Sequence, residues 1–266
     1  MRRLEPGARI LLFAISMTSV ERFVRKVRRK VVYHGVRNAA WLALLKGLGC
    51  DRWISVLRAH SIEQVDPAFI EPAPGYTGSF IGARALEAFT RDPETALPAD
   101  SVRYALAKGD KCFGFVHGGT LRAYGWYATT PTRVSPYLKI HFDRGYVYMY
   151  RGFTHASHRG RRLFPTGMSR ALRHFLSVGY KGMVLYVDAT NLDSLKSCGR
   201  VGWRTFGSVY VVKLLGRNFI YATPGCRRFG LRLEDLSALK ATARSDRSPR
   251  AARWPSRRRT PRRGAP

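Results

Sequence analysis

The stretch GYVYMYRGFTHASHRGRRLFPTGMSRALRHFL, residues 145–176, decides how the chain is read. Tyr146, Tyr148 and Tyr150 alternate along its first part, so they share one face of a strand. In its last part Met168, Ala171, Leu172, Phe175 and Leu176 fall at i, i+3, i+4, i+7 and i+8, one face of a helix. Ser169, Arg170, Arg173, His174 and Ser177 take the other side, and Gly179 stops the helix. Between the two lie His155, His158, Arg159, Arg161 and Arg162. Pro165 suits a first helical turn and disfavours helical torsions at Phe164, so residues 159–164 are predicted as an extended turn. Their backbone N–H groups then converge at a helix N-terminus, which attracts phosphate through free amide donors and the helix dipole. Arg159, Arg161 and Arg162 add charge-assisted contacts. A pyrophosphate fits such a junction; a solvated basic turn with no ligand is the plainer alternative.

Working outward, KGMVLYVDATN (181–191) has the short apolar run of a buried central strand. LDSLKSCGRVGW (192–203) reads as a short helix with a Gly-Trp turn, and RTFGSVYVVKLL (204–215) as a final strand. Upstream, KCFGFVHGGTLRAYGWYAT (111–129) is a hairpin turning at Gly118-Gly119. A strand near Leu138–Phe142 follows, with a turn at residues 143–145. GARALEAFTRDP and PADSVRYALAKGD are predicted as helices, the second opened by Pro98 and closed at Gly109. Residues 62–82, rich in Pro and Gly, read as an irregular connection. The expected fold is a single α+β (mixed α/β) domain over residues 61–239, with a central, mostly antiparallel sheet flanked by helices.

The 266 residues carry 47 Lys and Arg against 17 Asp and Glu, a formal charge of +30. About two-thirds of that excess lies in residues 1–60 and 240–266, leaving the middle only moderately basic. Residues 1–60 are expected to form a basic helical extension. Within it, Val20, Phe23, Val24, Val27 and Val31 make the apolar face of a helix over 20–34 whose other faces are basic. Such a helix can lie on an anionic membrane surface or pack on the main domain. Residues 240–266 lack periodicity and are predicted to be disordered. The first residues imitate a signal peptide, but the apolar run is short and Glu5 interrupts the basic start; Met17 is an alternative first residue. Cys50, Cys112, Cys198 and Cys226 have neither C-x-x-C nor metal-ligand spacing. The expectation is therefore four reduced thiols, no metal, and a cytoplasmic protein, peripheral to a membrane at most.

At the junction the sequence resembles the GNAT superfamily of acyl-CoA-dependent N-acetyltransferases. Their signature, Q/R-x-x-G-x-G/A, holds the coenzyme A pyrophosphate between a strand and the helix after it. RGRRLF, Arg159 to Phe164, occupies that place; Arg159 and Gly160 match, while Arg162 and Phe164 replace the two signature glycines. A second resemblance lies in NLDSLKSCGRVGW, against the family's N-x-x-A/S-x-x-x-Y-x-x-x-G-F. Asn191, Ser194, Gly202 and Trp203 match, and Cys198 stands where the family usually carries a tyrosine acid. Together they cover roughly residues 80–215.

The resemblance implies direct transfer of an acetyl or longer acyl group from acetyl-CoA, as cosubstrate, to an amine held between two splayed strands. Backbone near Phe153 and Thr154 would contact the acyl and pantetheine arm. Arg159, Gly160, Arg161, Arg162, Leu163 and Phe164 would hold the pyrophosphate, and Asn191 would line the arm. Cys198 would protonate the leaving thiolate, or else is a packed helix residue. Tyr150 and His155 are the nearest groups to relay a proton, with an aromatic cleft wall as the plainer role for Tyr150. The acceptor is a small-molecule or peptide amine.

Two readings compete. A nucleic-acid- or ribosome-associated binding module would use the basic termini for weak, salt-dependent phosphate contact. A catalytically inactive relative would explain the missing glycines and tyrosine.

Overall fold

The computed structural model describes residues 50–237 apart from 62, 64, 215 and 216, together with Leu44 and Gly47. The helix expected at 20–34 and the tail expected at 240–266 lie outside the described residues.

Eight strands form the main sheet in the order β10-β9-β1-β8-β7-β4-β3-β2. They are β1 (Cys50–Ala59), β2 (Thr77–Ile81), β3 (Lys111–His117), β4 (Thr120–Ala128), β7 (Tyr146–Thr154), β8 (Gly182–Asp188), β9 (Arg204–Leu214) and β10 (Arg217–Ala222). β7 and β8 run parallel, and all other neighbours in the sheet are antiparallel. A smaller sheet of β5 (Thr132–Ser135), β6 (Leu138–His141) and β11 (Arg232–Asp235) has the order β11-β6-β5. The helices are α1 (Ala83–Phe89), α2 (Ala99–Ala107), α3 (Leu163–Ser177), α4 (Leu192–Arg200) and the short α5 (Pro224–Arg228). The mixed α+β class expected from the sequence is the class observed.

Helix α3 makes the parallel crossover from β7 to β8, since parallel strands cannot be joined by a tight turn. Its Met168, Ala171, Leu172 and Phe175 are buried with Leu57, Val147, Met183 and Leu185 from the sheet. Ser169 departs from the expected polar face: it is buried, and its Oγ donates to the Pro165 carbonyl at 3.1 Å. On the opposite sheet face Tyr146, Tyr148 and Val184 pack against Leu138, Ile140 and Leu233 of the small sheet. The three alternating tyrosines of β7 do share that face.

Three expectations about the elements are corrected. The domain boundary at residue 60 falls too late, because β1 is a central strand paired to both β8 and β9. Its Ile54 and Val56 face the small-sheet core. Residues 77–81, read as irregular, form β2; Gly78 is needed there because a Cβ would sit 2.4 Å from the Phe115 ring. Strand β9 is not the last, since β10 and β11 follow it. The hairpin turn at Gly118-Gly119 stands as expected, with φ of +58° and +76° at the two glycines.

Candidate functional site

The pairing of β7 with β8 runs from Tyr146 opposite Gly182 to Met149 opposite Leu185 and then ends. The cause lies on the other edge of β7. There Tyr124 of β4 opposes Phe153, but Trp126 opposes Tyr150, so β7 carries one extra residue between these pairs. Such a bulge bends its strand and breaks the ladder. Arg151, inside it, adopts φ +50°, a conformation that disfavours any side chain with a Cβ and persists where surrounding structure enforces it. Beyond Met149 the two parallel strands therefore diverge.

The divergence opens a cleft of about 240 Å³ lined by Tyr150, Gly152, Phe164, Asp188, Asn191 and Cys198 among others. Phe164 and Ser194 also line a second cavity, of about 370 Å³, at the basic turn, with His158, Arg159, Gly160, Arg162, Asp193 and Arg200. Met149, Tyr150, Arg151 and Tyr186 also line a third, of about 430 Å³, between α2 and β5. A route thus leads from the basic turn, through the gap between β7 and β8, to an aromatic pocket.

The turn itself differs from the expected extended form. After a 3-10 turn at Ala156–His158, Gly160 takes φ +79° and Arg162 φ +60°. Helix α3 begins at Leu163, two residues before Pro165, so Phe164 is helical and not held out of the helix. Proline in the third helical position loses no bond, because that N–H would have no helical acceptor. Residues 159–162 are exposed. Arg159 N–H lies 3.3 Å from the Ala156 carbonyl; among the described residues no protein acceptor takes the amides of Gly160 to Phe164. Arg162, the residue before the helix, makes no side-chain cap.

The six residues expected to hold a diphosphate divide by position. Arg159 reaches back toward the Thr154 carbonyl, its Nε at 3.4 Å, and lines the basic cavity with Thr154, Gly160 and Arg162. Arg162 lies over the Phe69 ring at 5.8 Å and Arg161 over Tyr76 at 5.9 Å. Arg161 does not line that cavity. Leu163 contributes backbone only, since its side chain is buried in the core under α3.

Phe164 stands where the basic cavity and the cleft meet, its ring against Gly152. A Cβ on Gly152 would lie 2.0 Å from that ring. Gly152→Ala is therefore expected to displace Phe164 and cost about 1–3 kcal/mol of stability, as overpacking does. A denaturant melt checks this, and an unchanged midpoint would mean that Phe164 moves freely.

Asn191 caps α4, its Oδ1 accepting from Ser194 N–H at 3.3 Å, and its side chain borders the cleft. Cys198 also borders it but is only 1% exposed, packed with Val201 and Trp203. Burial pushes its thiol up to about 12. Phe153 points away from the cleft and stacks on Tyr124 at 5.4 Å. His155 lines none of the three cavities; it accepts from Ser157 N–H at 3.4 Å and lies 3.8 Å from Glu94.

Tyr150 lines both the cleft and the aromatic pocket, and its hydroxyl donates to Asp110. Burial first, then that hydrogen bond, raises the phenol well above its ordinary range. Asp110 was not singled out from the sequence. Its side chain is 1% exposed and its other oxygen accepts from Lys108 Nζ at 2.5 Å; that ammonium also reaches Thr132 Oγ1 at 3.0 Å. A buried chain of Tyr150, Asp110 and Lys108 therefore ends at the point where the cleft and pocket join. The only hint in sequence was Lys-Gly-Asp directly ahead of an apolar strand. Asp188, at the end of β8, is a turn residue, its carboxylate accepting from Thr190 N–H at 2.8 Å.

Cys112, Cys198 and Cys226 are free thiols, and no group of His, Cys, Asp and Glu among the described residues could hold a metal ion. No helix among the described residues is long and apolar enough to cross a membrane.

No family model and no curated protein matches this sequence. Among solved structures, the chain is similar to a putative GNAT-family acetyltransferase of Novosphingobium aromaticivorans, at 16% identity and a TM-score of 0.41 over 60% of this chain and 62% of that one. It is similar to a GCN5-related N-acetyltransferase-like protein of Streptococcus suis, at 12% identity and a TM-score of 0.41 over 64% and 66%. A GNAT-family acetyltransferase of Colwellia psychrerythraea gives 16% identity and a TM-score of 0.43 over 62% and 58%. The match thus spans less than two-thirds of each of these proteins.

Proposed function

We propose that the chain is an N-acyltransferase of the GNAT type, using acetyl-CoA or a longer acyl-CoA as cosubstrate and an amine as acceptor. One observation carries this reading: exposed amides, unspent on protein acceptors, lie at the start of α3 beside a route that crosses the sheet where β7 and β8 part. The basic cavity suits a diphosphate. Three guanidiniums, Arg159, Arg162 and Arg200, line it against one carboxylate, Asp193. The gap suits the thioester arm, with Thr154 and Gly152 along one side and Asn191 along the other. Phe164 replaces a small signature residue at the entrance to that gap, so an arm passing inward must run along its ring.

In the reaction the amine lone pair forms a bond to the acyl carbon, and the C–S bond breaks with its electron pair on sulfur. Rate enhancement comes mainly from holding both partners at the gap. The proton shed by nitrogen passes to Tyr150 while Tyr150 gives its own to Asp110, which leaves the phenol neutral throughout. The raised phenol and its donation to a carboxylate support this relay and disfavour a free tyrosinate as base. The sulfur takes a proton from Cys198 or from water. A thiol at about 12 is a weaker acid than an ordinary thiol, so Cys198 serves better as a hydrogen-bond donor than as a full acid. Cys198→Ala is then expected to slow turnover by no more than about tenfold at unchanged coenzyme affinity. A loss in the range of about 10²–10⁴ would mark it as the general acid.

The first experiment is thermal melting of the full chain with acetyl-CoA. A ligand that binds only the folded state stabilises it by about 2.7 kcal/mol at a hundred times its Kd, a rise of about 5–11 °C for a protein of this size. No shift at millimolar acetyl-CoA would overturn the enzyme reading and return the basic turn to a solvated surface.

A further inference from the structure

The pocket on the far side of the gap has a composition that narrows the acceptor. Its wall from α2 presents Tyr104, its floor Trp126 from β4, and its sheet side Tyr148, Tyr150 and Tyr186. The last three form a row of near-parallel rings. Tyr148 and Tyr150 are 5.9 Å apart at 4°, and Tyr148 and Tyr186 6.3 Å apart at 22°. Trp126 lies 6.4 Å from Tyr150. Aromatic linings favour planar ligands, whose rings gain stacked or edge-to-face contacts beyond simple area burial. At about 430 Å³ the space is that of a ligand with a ring, larger than a short aliphatic amine needs.

Two guanidiniums border this aromatic space. Arg133 and Arg151 both line the pocket, and among the described residues neither makes an ion pair or a side-chain hydrogen bond. The one acid lining the pocket, Asp100, is already paired with Arg103. Arg151 is also the residue held at φ +50° by the bulge, so the distortion that opens the gap fixes the base of this arginine beside it. Planar guanidiniums without acid partners match a carboxylate in geometry and charge. Tyr150, where pocket and cleft join, marks where the nitrogen must sit.

We propose that the acceptor is an aromatic primary amine bearing a carboxylate. Its ring lies among Tyr104, Trp126, Tyr148 and Tyr186, its carboxylate on Arg133 and Arg151, and its nitrogen at Tyr150. This rests on the acyl-transfer reading for the fate of the nitrogen, but the pocket's affinity for a ring joined to an anion does not.

The test therefore separates the two. Calorimetry with 3-phenylpropionate, which has the ring and carboxylate but no nitrogen to acylate, needs neither coenzyme nor turnover. Binding is expected to the wild-type chain and to fall about tenfold or more in Arg133→Ala, the loss of one charged hydrogen bond. In parallel, thiol release from acetyl-CoA is measured with phenylalanine, phenethylamine and glycine. Phenylalanine is expected to exceed phenethylamine in kcat/KM by about a hundredfold or more, because both guanidiniums lose their carboxylate. It is expected to exceed glycine by about tenfold or more for want of the buried ring, with the first ratio falling about tenfold in Arg133→Ala, which keeps Arg151. If 3-phenylpropionate binds as described while no amine is acylated, the pocket assignment stands and the transferase reading fails. If it does not bind, or glycine or phenethylamine matches phenylalanine, the acceptor assignment is overturned even where transfer proceeds.

Discussion

Replacing Asp110 with alanine is expected to destabilise the protein by about 3–5 kcal/mol, the loss seen when one partner of a buried ion pair is removed. The size follows from who is left behind. The Asp110 side chain is 1% exposed and that of Lys108 only 16%, so the ammonium would keep its charge in a place that water barely reaches. The Tyr150 hydroxyl would lose its acceptor as well. Thr132, buried and hydrogen-bonded to Lys108 at 3.0 Å, offers a neutral oxygen in place of an anion. Denaturant unfolding reads the loss directly. Asp110→Ala combined with Lys108→Met should recover a large part of it, because the stranded charge is then gone. A single variant within about 0.5 kcal/mol of wild type would mean that the pair is solvated and that the relay has no fixed base.

The second large effect concerns the basic turn. Arg159→Ala together with Arg162→Ala is expected to raise the dissociation constant for acetyl-CoA by about 100-fold or more. Each removes a charge-assisted contact of about 1.5–3 kcal/mol to a diphosphate, and the two act on neighbouring oxygens. Both side chains are exposed at the turn, so the fold should survive the change, and an unaltered melting temperature without ligand is the control. Titration calorimetry in low and moderate salt gives the readout. A double variant that binds acetyl-CoA as wild type does would remove the turn from the site, whatever the backbone amides do.

How much of this was legible beforehand depends on the kind of signal. The crossover helix was, because Met168, Ala171, Leu172 and Phe175 repeat at a helical period that tertiary context had no reason to override; all four are buried. The turn's place was also legible, although its start was misjudged by two residues. The preference of a residue before proline was outweighed by the seating of the Phe164 ring against Gly152. Strand β2 was misread because Gly78 looks like a turn signal in sequence, whereas in space it makes room for Phe115. Asp110 could not be weighed locally. Its partner Tyr150 lies forty residues away in sequence and meets it only in the folded protein. The bulge at Arg151 leaves no mark in residue type at all, since a left-handed backbone is ordinarily signalled by glycine.

The position of β1 bears on how the protein is made. Its partners are β8, at Gly182–Asp188, and β9, at Arg204–Leu214, so the first strand of the described chain leaves the ribosome well over a hundred residues before either neighbour exists. Sheets closed by such distant pairings assemble slowly and leave sticky edges open in the meantime. The nascent chain must therefore keep Ile54, Val56 and Leu57 from pairing with other chains until β8 and β9 have been made.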